Sequence, residues 1–370
     1  MIVNVAPDPQ GCRMSDAIAP PGLKGWVVTE TAIGAVYGDA GRYEYRGRDA
    51  SALCAEVPFA ELAGLVLIGE LEPLDLGLAR VRAFEKLSRA QSLRGLLADV
   101  LDDVPLMDLD PSARRARALE AIGAFAVVVA ALHRRTQGLE AIAPDPAQSH
   151  PADYLRMVTG QAADVARARA LGVYLASTID HGMNASTFTA RVIASTGASI
   201  AASLVGAQAA LSGPLHGGAP GRVLDMLDAI GSPANTERFL QEALARGDKI
   251  MGFGHAVYRA DDPRSRVLKA EAERLGGEIV QRASEIEDRA LRVLRAHKPH
   301  AVIVTNVEYW AAVVLHLSGL PRELFTPTFA VSRCVGWAAH ALEEAAKGKI
   351  MRPSSRYSSN KTQGTRNRNP

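Results

Sequence analysis

His216 sits in the turn-forming stretch LSGPLHGGAPGR, residues 211–222, between two apolar helical runs. Gly213, Gly217 and Gly218 allow backbone conformations that other residues resist, and Pro214 and Pro220 fix the path of the chain. Such a turn places His216 just ahead of a helix N-terminus, where the positive end of the dipole disfavours an extra proton. A neutral imidazole there can donate a hydrogen bond to a carbonyl and stabilise an enolate. Taken alone, the same stretch reads as a capping turn with an exposed histidine; its company further along the chain shifts the reading toward chemistry.

Other stretches carry chemistry further along the chain. DHGMNAS, residues 180–186, crowds His181, Asn184 and Ser186 ahead of a helical run, with Ser186 or Thr187 expected as its cap. In KIMGFGHAVYRADDPRSRVLK, residues 249–269, Gly252 and Gly254 flank Phe253 just before His255. Asp262 and Pro263 read as an N-cap and first helical position, which puts the cation Arg264 in the first turn. Arg259, Arg264, Arg266 and Lys269 form a positive cluster suited to carboxylates or phosphates, or else a solvated basic face. In TNVEYW, residues 305–310, Glu308 precedes two large aromatics. Desolvation there would raise its pKa and suit a general base, although a first-turn glutamate is equally common. Arg333 lies in an apolar helix and so requires a partner or ligand. Arg352, beside Pro353, could simply end a helix.

The elements that must position these residues are mostly helices. Residues 1–22 form a loose polar arm. Trp26–Ile33 and Arg42–Tyr45 are rich in β-branched and aromatic residues, and GDAG between them predicts a small hairpin. Three-and-four apolar spacing predicts helices over 59–68, 76–100, 113–134, 154–178 and 194–211. It predicts further helices over 223–230, 237–246, 265–275, 277–296, 308–317 and 329–347. The expected fold is all-α with a small N-terminal β-hairpin. A large domain over 1–217 and 319–370 would hold a smaller, more polar one over 218–318, with a ligand cleft between them.

Composition narrows the function. The chain has 370 residues, more than one ordinary core accommodates. Hydrophobic residues at 48% and charged residues at 22% describe a globular protein, and a net charge of +2 argues against a general polyanion binder. A nucleic-acid partner would rest on the basic tail after Pro353 alone. Cys12, Cys54 and Cys334 form no CxxC pair, so neither a disulfide framework nor a structural zinc is expected. A metallohydrolase built on His181, His216 and His255 lacks HExxH or comparable spacing, so no metal is expected. The N-terminus shows no signal-peptide pattern, and the apolar run 121–132 is too short to span a bilayer. A cytoplasmic protein without membrane contact is the expectation.

GPLHGGA, GFGHAVYRADDPR, TNVE and VSR, in this order and at roughly this spacing, resemble the citrate synthase family. The match runs from Gly22 to Arg352 and is closest to the shorter dimeric bacterial and archaeal forms. The resemblance implies an all-helical homodimer whose two domains close over oxaloacetate and an acyl-CoA, with no cofactor. It implies that His216 hydrogen-bonds the thioester carbonyl and that His255 polarises the ketone of oxaloacetate. Glu308 stands where the family usually has the aspartate that removes the methyl proton. His181, Arg264 and Arg333 match oxaloacetate ligands, and Arg352 matches one donated across the dimer interface. Arg259 matches a CoA phosphate contact, and Ser186, with Asn184 beside it, matches a residue that orients His216. The implied reaction joins acetyl-CoA, oxaloacetate and water into citrate and CoA. Condensation of propionyl-CoA to 2-methylcitrate is the alternative, as is a binding relative with weakened catalysis. Two departures bear on this: Glu308 is one methylene longer than aspartate, and Pro220 stands where asparagine is common.

Overall fold

The computed structural model describes residues 18–214, 216, 219–254, 258 and 260–357. Its small antiparallel sheet runs β1 (Gly34–Tyr37), β2 (Arg42–Tyr45) and β3 (Arg48–Asp49) in chain order. The hairpin at GDAG is present, with Tyr37 paired to Arg42, and a third short strand extends it. Its first strand is not Trp26–Ile33. Those residues precede the sheet, and Trp26 is 51% exposed, so their β-branched character finds no ladder to join. Inward-facing Tyr43 and Tyr45 are fully buried, and their hydroxyls donate to the carbonyls of Ser177 and Ala176.

Among the described residues, helices make up nearly all the remaining regular structure. The first nine are α1 (Ala50–Glu56), α2 (Phe59–Ile68), α3 (Leu76–Glu85), α4 (Leu93–Val100), α5 (Pro111–Thr136), α6 (His150–Thr159), α7 (Val165–Ser177), α8 (Ala185–Ser195) and α9 (Ile200–Leu211). They are followed by α10 (Ala219–Ile230), α11 (Thr236–Ala245), α12 (Pro263–Leu275), α13 (Glu278–His297), α14 (Val307–Leu317) and α15 (Phe325–Lys347). Three expected boundaries differ. The spans 76–100 and 154–178 are each two helices, and residues 194–195 end α8 rather than begin α9. At each break a short polar side chain, Ser92, Asp164 or Ser199, accepts an amide of the next first turn. These caps restart a helix without disturbing the apolar spacing, so periodicity runs straight through them.

α15 is the centre of the packing and lies against α2, α5, α7, α8 and α9. α5 is long and apolar enough to cross a membrane by length and composition, but residues 121–131 are all buried among these helices. Large apolar side chains buried this way contribute about 1.5–3 kcal/mol each. Gly336 lets α15 approach the segment before α8, since a Cβ there would fall 2.4 Å from the Ile179 carbonyl. A second group of helices forms around α14, with α10 and α12 against it and α11 against α13. It joins the first through α7, which packs on both α12 and α14.

Candidate active site

One face of α15 organises the site. Arg333, Trp337, His340 and Glu344 follow at steps of four, three and four residues, so they form one stripe down the helix. All four are buried. Arg333 donates from Nε to the Thr178 carbonyl at 2.7 Å, and Trp337 donates from Nε1 to Ser186 Oγ at 3.1 Å. His340 lies 3.1 Å from Asp180 Oδ1, and Glu344 accepts from Arg191 at 2.6 Å. Arg191 donates to His340 Nδ1 at 2.8 Å, and a guanidinium can only donate. Nδ1 is therefore the acceptor, and His340 Nε2–H donates to Asp180. The stripe thus holds the whole of 178–191, the segment that carries His181, Asn184 and Ser186.

Asn184, not Ser186 or Thr187, caps α8: its side chain accepts the Thr187 amide at 3.0 Å. That leaves the Ser186 hydroxyl for other work, and His216 Nε2 lies 2.9 Å from it. The Ser186 amide also points at Nε2, at 3.3 Å. His216 itself closes a turn onto the Gly213 carbonyl at 2.9 Å, three residues before α10 begins. Burial, and then the charge of Arg333, hold its pKa below the usual 6.5, so the ring is neutral near pH 7.

His181 pairs through Nε2 with the Tyr258 hydroxyl at 2.9 Å. Arg264 is buried in the first turn of α12, gripped by both oxygens of Asp262 at 3.0 and 2.8 Å. Burial alone would lower the Arg264 pKa; Asp262 outweighs it and the net direction is upward. Arg333 has no such carboxylate clamp. Beyond its bond to Thr178 it lies over the Phe329 ring at 4.6 Å, and among the described residues neither Nη atom meets an acceptor.

Glu308 occupies the first turn of α14, whose cap Asn306 accepts the Glu308 amide at 3.0 Å. Burial pushes its carboxyl up to about 6; Arg264 pulls against this, and Asp262 adds to it. Its neighbours are set by an unusual pairing. Phe253 bridges to Thr305, and Gly254 N donates to the Val304 carbonyl at 2.8 Å. Gly252 has φ +82°, and a Cβ there would meet Tyr309 at 2.8 Å, so only glycine fits. The loop leading to His255 is therefore fastened beside the helix that presents Glu308.

The structure thus brings His181, Asn184, Ser186, His216, Arg264, Glu308 and Arg333 into one electrostatically connected region. His255 and Arg259 lie outside the described residues. Arg352 is not brought there: it is exposed in the segment after α15, next to Met351, whose amide donates to Ser195 Oγ at 3.0 Å. Sequence reasoning missed Trp337, His340 and Asp180. The signal was available, since polar residues at helical spacing inside an apolar helix mark a stripe that must be satisfied by something.

The family model described as citrate synthase, C-terminal domain, matches residues 22–354. The chain is 40% identical to a putative citrate synthase 2 of Mycobacterium tuberculosis, over 91% of this chain and 92% of that one. It is 36% identical to a 2-methylcitrate synthase of the same species, over 91% and 89%. Among solved structures, citrate synthase of Thermotoga maritima superposes with a TM-score of 0.78 at 31% identity, covering 93% of this chain and 97% of that chain. Citrate synthase of the thermophilic archaeon Thermoplasma acidophilum, in a ternary complex with carboxymethyl coenzyme A and oxaloacetate, gives 0.79 at 25%, covering 93% and 97%. With its helical architecture and with the family model matching residues 22–354, the chain belongs to the citrate synthase family, enzymes that condense an acyl-CoA thioester with oxaloacetate.

Proposed function

We propose that the protein condenses acetyl-CoA with oxaloacetate and water, releasing citrate and CoA. The observation that carries this reading is a carboxyl and an imidazole desolvated in one region: burial raises Glu308 to about 6 and lowers His216 below 6.5. Burial disfavours the charged form of both groups, which makes the Glu308 carboxylate a stronger base and keeps the His216 imidazole neutral near pH 7.

In this reading Glu308 takes a proton from the methyl carbon of the thioester, and neutral His216 donates a hydrogen bond to the thioester oxygen. The resulting enolate carbon forms the new C–C bond at the ketone of oxaloacetate, and His255 supports the ketone oxygen as it becomes a hydroxyl. Water then cleaves the thioester and frees CoA. His181, Arg264 and Arg333 hold the two carboxylates of oxaloacetate. The Nη atoms of Arg333, without an acceptor among the described residues, suit such a ligand because a buried cation is costly until an anion arrives. Arg352 completes the site from a second protomer of a homodimer, which accounts for its exposure in the single chain. Arg259 contacts a CoA phosphate. Closure of residues 218–318 onto 1–217 and 319–370 excludes water from the enolate. The reaction needs no cofactor beyond its substrates, and the enzyme works in the cytoplasm without nucleic-acid or membrane partners.

Propionyl-CoA is the second candidate substrate, favoured by the 36% identity to a 2-methylcitrate synthase. One methylene changes selectivity only about 10–200-fold, so both thioesters are to be assayed. Thiol release from each, with and without oxaloacetate, tests the proposal. Turnover dependent on oxaloacetate and faster with acetyl-CoA supports it, faster turnover with propionyl-CoA makes the enzyme a 2-methylcitrate synthase, and silence with both sinks it.

A further inference from the structure

We infer that Trp337 is a positioning residue for His216, acting through the hydroxyl of Ser186; this rests on the reading of His216 as donor to the thioester. Ser186 is fully buried, and its Oγ has three polar neighbours. Trp337 Nε1 lies at 3.1 Å, Asn184 Oδ1 at 2.8 Å and His216 Nε2 at 2.9 Å. An indole N–H only donates. Asn184 Oδ1 is identified as an acceptor because it already caps α8 through the Thr187 amide. Trp337 therefore occupies a lone pair of Oγ and confines the single hydroxyl proton to the side facing Asn184 and His216.

The Ser186 amide, in the first turn of α8, points at the same imidazole nitrogen. It marks Nε2 as an acceptor and leaves the ring proton on Nδ1, the nitrogen then available to a substrate carbonyl. With the Ser186 amide donating to Nε2 and the one hydroxyl proton shared between Nε2 and Asn184 Oδ1, the ring has one orientation and one tautomer. Trp337 is well placed to fix this arrangement. It is fully buried on the central helix, and its ring meets the edge of Phe125 with centroids 6.0 Å apart. Polarising Oγ through the indole also strengthens the other bonds the hydroxyl makes.

The test replaces Trp337 by phenylalanine and, separately, by 3-benzothienylalanine, which keeps the ring volume and lacks the N–H. Either change is expected to lower kcat about 3–10-fold, the worth of one neutral hydrogen bond, with the KM for oxaloacetate unchanged. Added to Ser186→Ala, the Trp337 change is expected to cost nothing more, because both act on one bond. Imidazole ¹⁵N shifts, with His216 assigned by its loss in His216→Asn, are expected to show Nδ1–H in the wild type and mixed tautomers without the indole N–H. The shifts need no turnover, so failure of the condensation reading and failure of this inference are separate outcomes. Should Trp337→Phe not fold, the benzothienyl protein decides. Wild-type kcat and wild-type shifts in that protein overturn the inference, as do fully additive losses with Ser186→Ala.

Discussion

Asp262 Oδ2 accepts the amide of Val307 at 3.0 Å while also holding a guanidinium nitrogen of Arg264 at 2.8 Å. One buried carboxylate thus ties the first turn of α12 to the first turn of α14. The separation between Arg264, a candidate oxaloacetate ligand, and Glu308, the candidate base, is set by that side chain. Asp262→Asn leaves a buried guanidinium without its charge partner, and such losses cost about 3–5 kcal/mol. We expect a lowered urea midpoint and a KM for oxaloacetate raised about tenfold or more. Wild-type values of both would show that the two helices are held by something else.

Glu308→Gln keeps the shape of the side chain and removes the base. We expect kcat for thiol release to fall about 10²–10⁴-fold, the usual contribution of a positioned general base. Oxaloacetate binding, followed by calorimetry, should stay within about threefold, because the carboxylates are held elsewhere. A mutant that retains wild-type kcat would remove Glu308 from the chemistry.

The pH dependence of kcat follows from the same residue. A base must be deprotonated to act, and burial has raised Glu308 to about 6. Activity should therefore rise as pH increases through about 6 and level off above it. His216, lowered below 6.5 by burial and Arg333, stays neutral across the plateau. A limb displaced to near 4, the ordinary range of a glutamate, would mean that Glu308 is solvated during turnover.

His340 and Asp180 make a prediction about stability. Burial pushes the Asp180 carboxyl up, but His340, Arg333 and the Gly182 amide together bring it below 3.8. A carboxylate depressed in the folded state contributes stability above its unfolded pKa and loses it as pH falls through the folded one. His340→Phe removes the Nε2–H donor and also the acceptor for Arg191. We expect a loss of about 2–4 kcal/mol at neutral pH, from buried polar groups left unpaired. Acid unfolding should also begin at a higher pH than in the wild type. Thermal melts from pH 3 to pH 7 read both effects, and superimposable curves for the two proteins would contradict them.

Arg352 tests the proposed dimer. Arg352→Ala alone should raise the KM for oxaloacetate while leaving the melting temperature unchanged. If Arg352 serves the partner's site, hybrids of Arg352→Ala with Glu308→Gln contain one intact site per dimer. Co-refolded equal mixtures should then recover about a quarter of wild-type activity, as random pairing of protomers dictates. No recovery would place Arg352 in its own subunit's site, and an Arg352→Ala protein with wild-type KM would place it outside any site.

Much of this protein is legible from the sequence. Helical type follows from apolar spacing, because each helix must turn a continuous stripe to the core. Arg264 in the first turn of α12 follows from Asp262 and Pro263, and Glu308 at the start of α14 follows from the aromatics behind it, since caps and burial act over a few residues. The chemistry-bearing motifs are equally local, as the turn around His216 and the GFGH loop show.

What lay beyond reach is what depends on residues distant in the chain. Nothing near Ser186 indicates that Trp337, 151 positions away, donates to it, or that Asn184 rather than Ser186 caps α8 and places the hydroxyl between Asn184 and His216. The same holds for His340 on Asp180, and for Asp262 joining α12 to α14. A sequence determines which groups need partners, because burying a polar atom is costly wherever it happens. Only the packing of α15 on α8, and of α12 on α14, decides which partners they find.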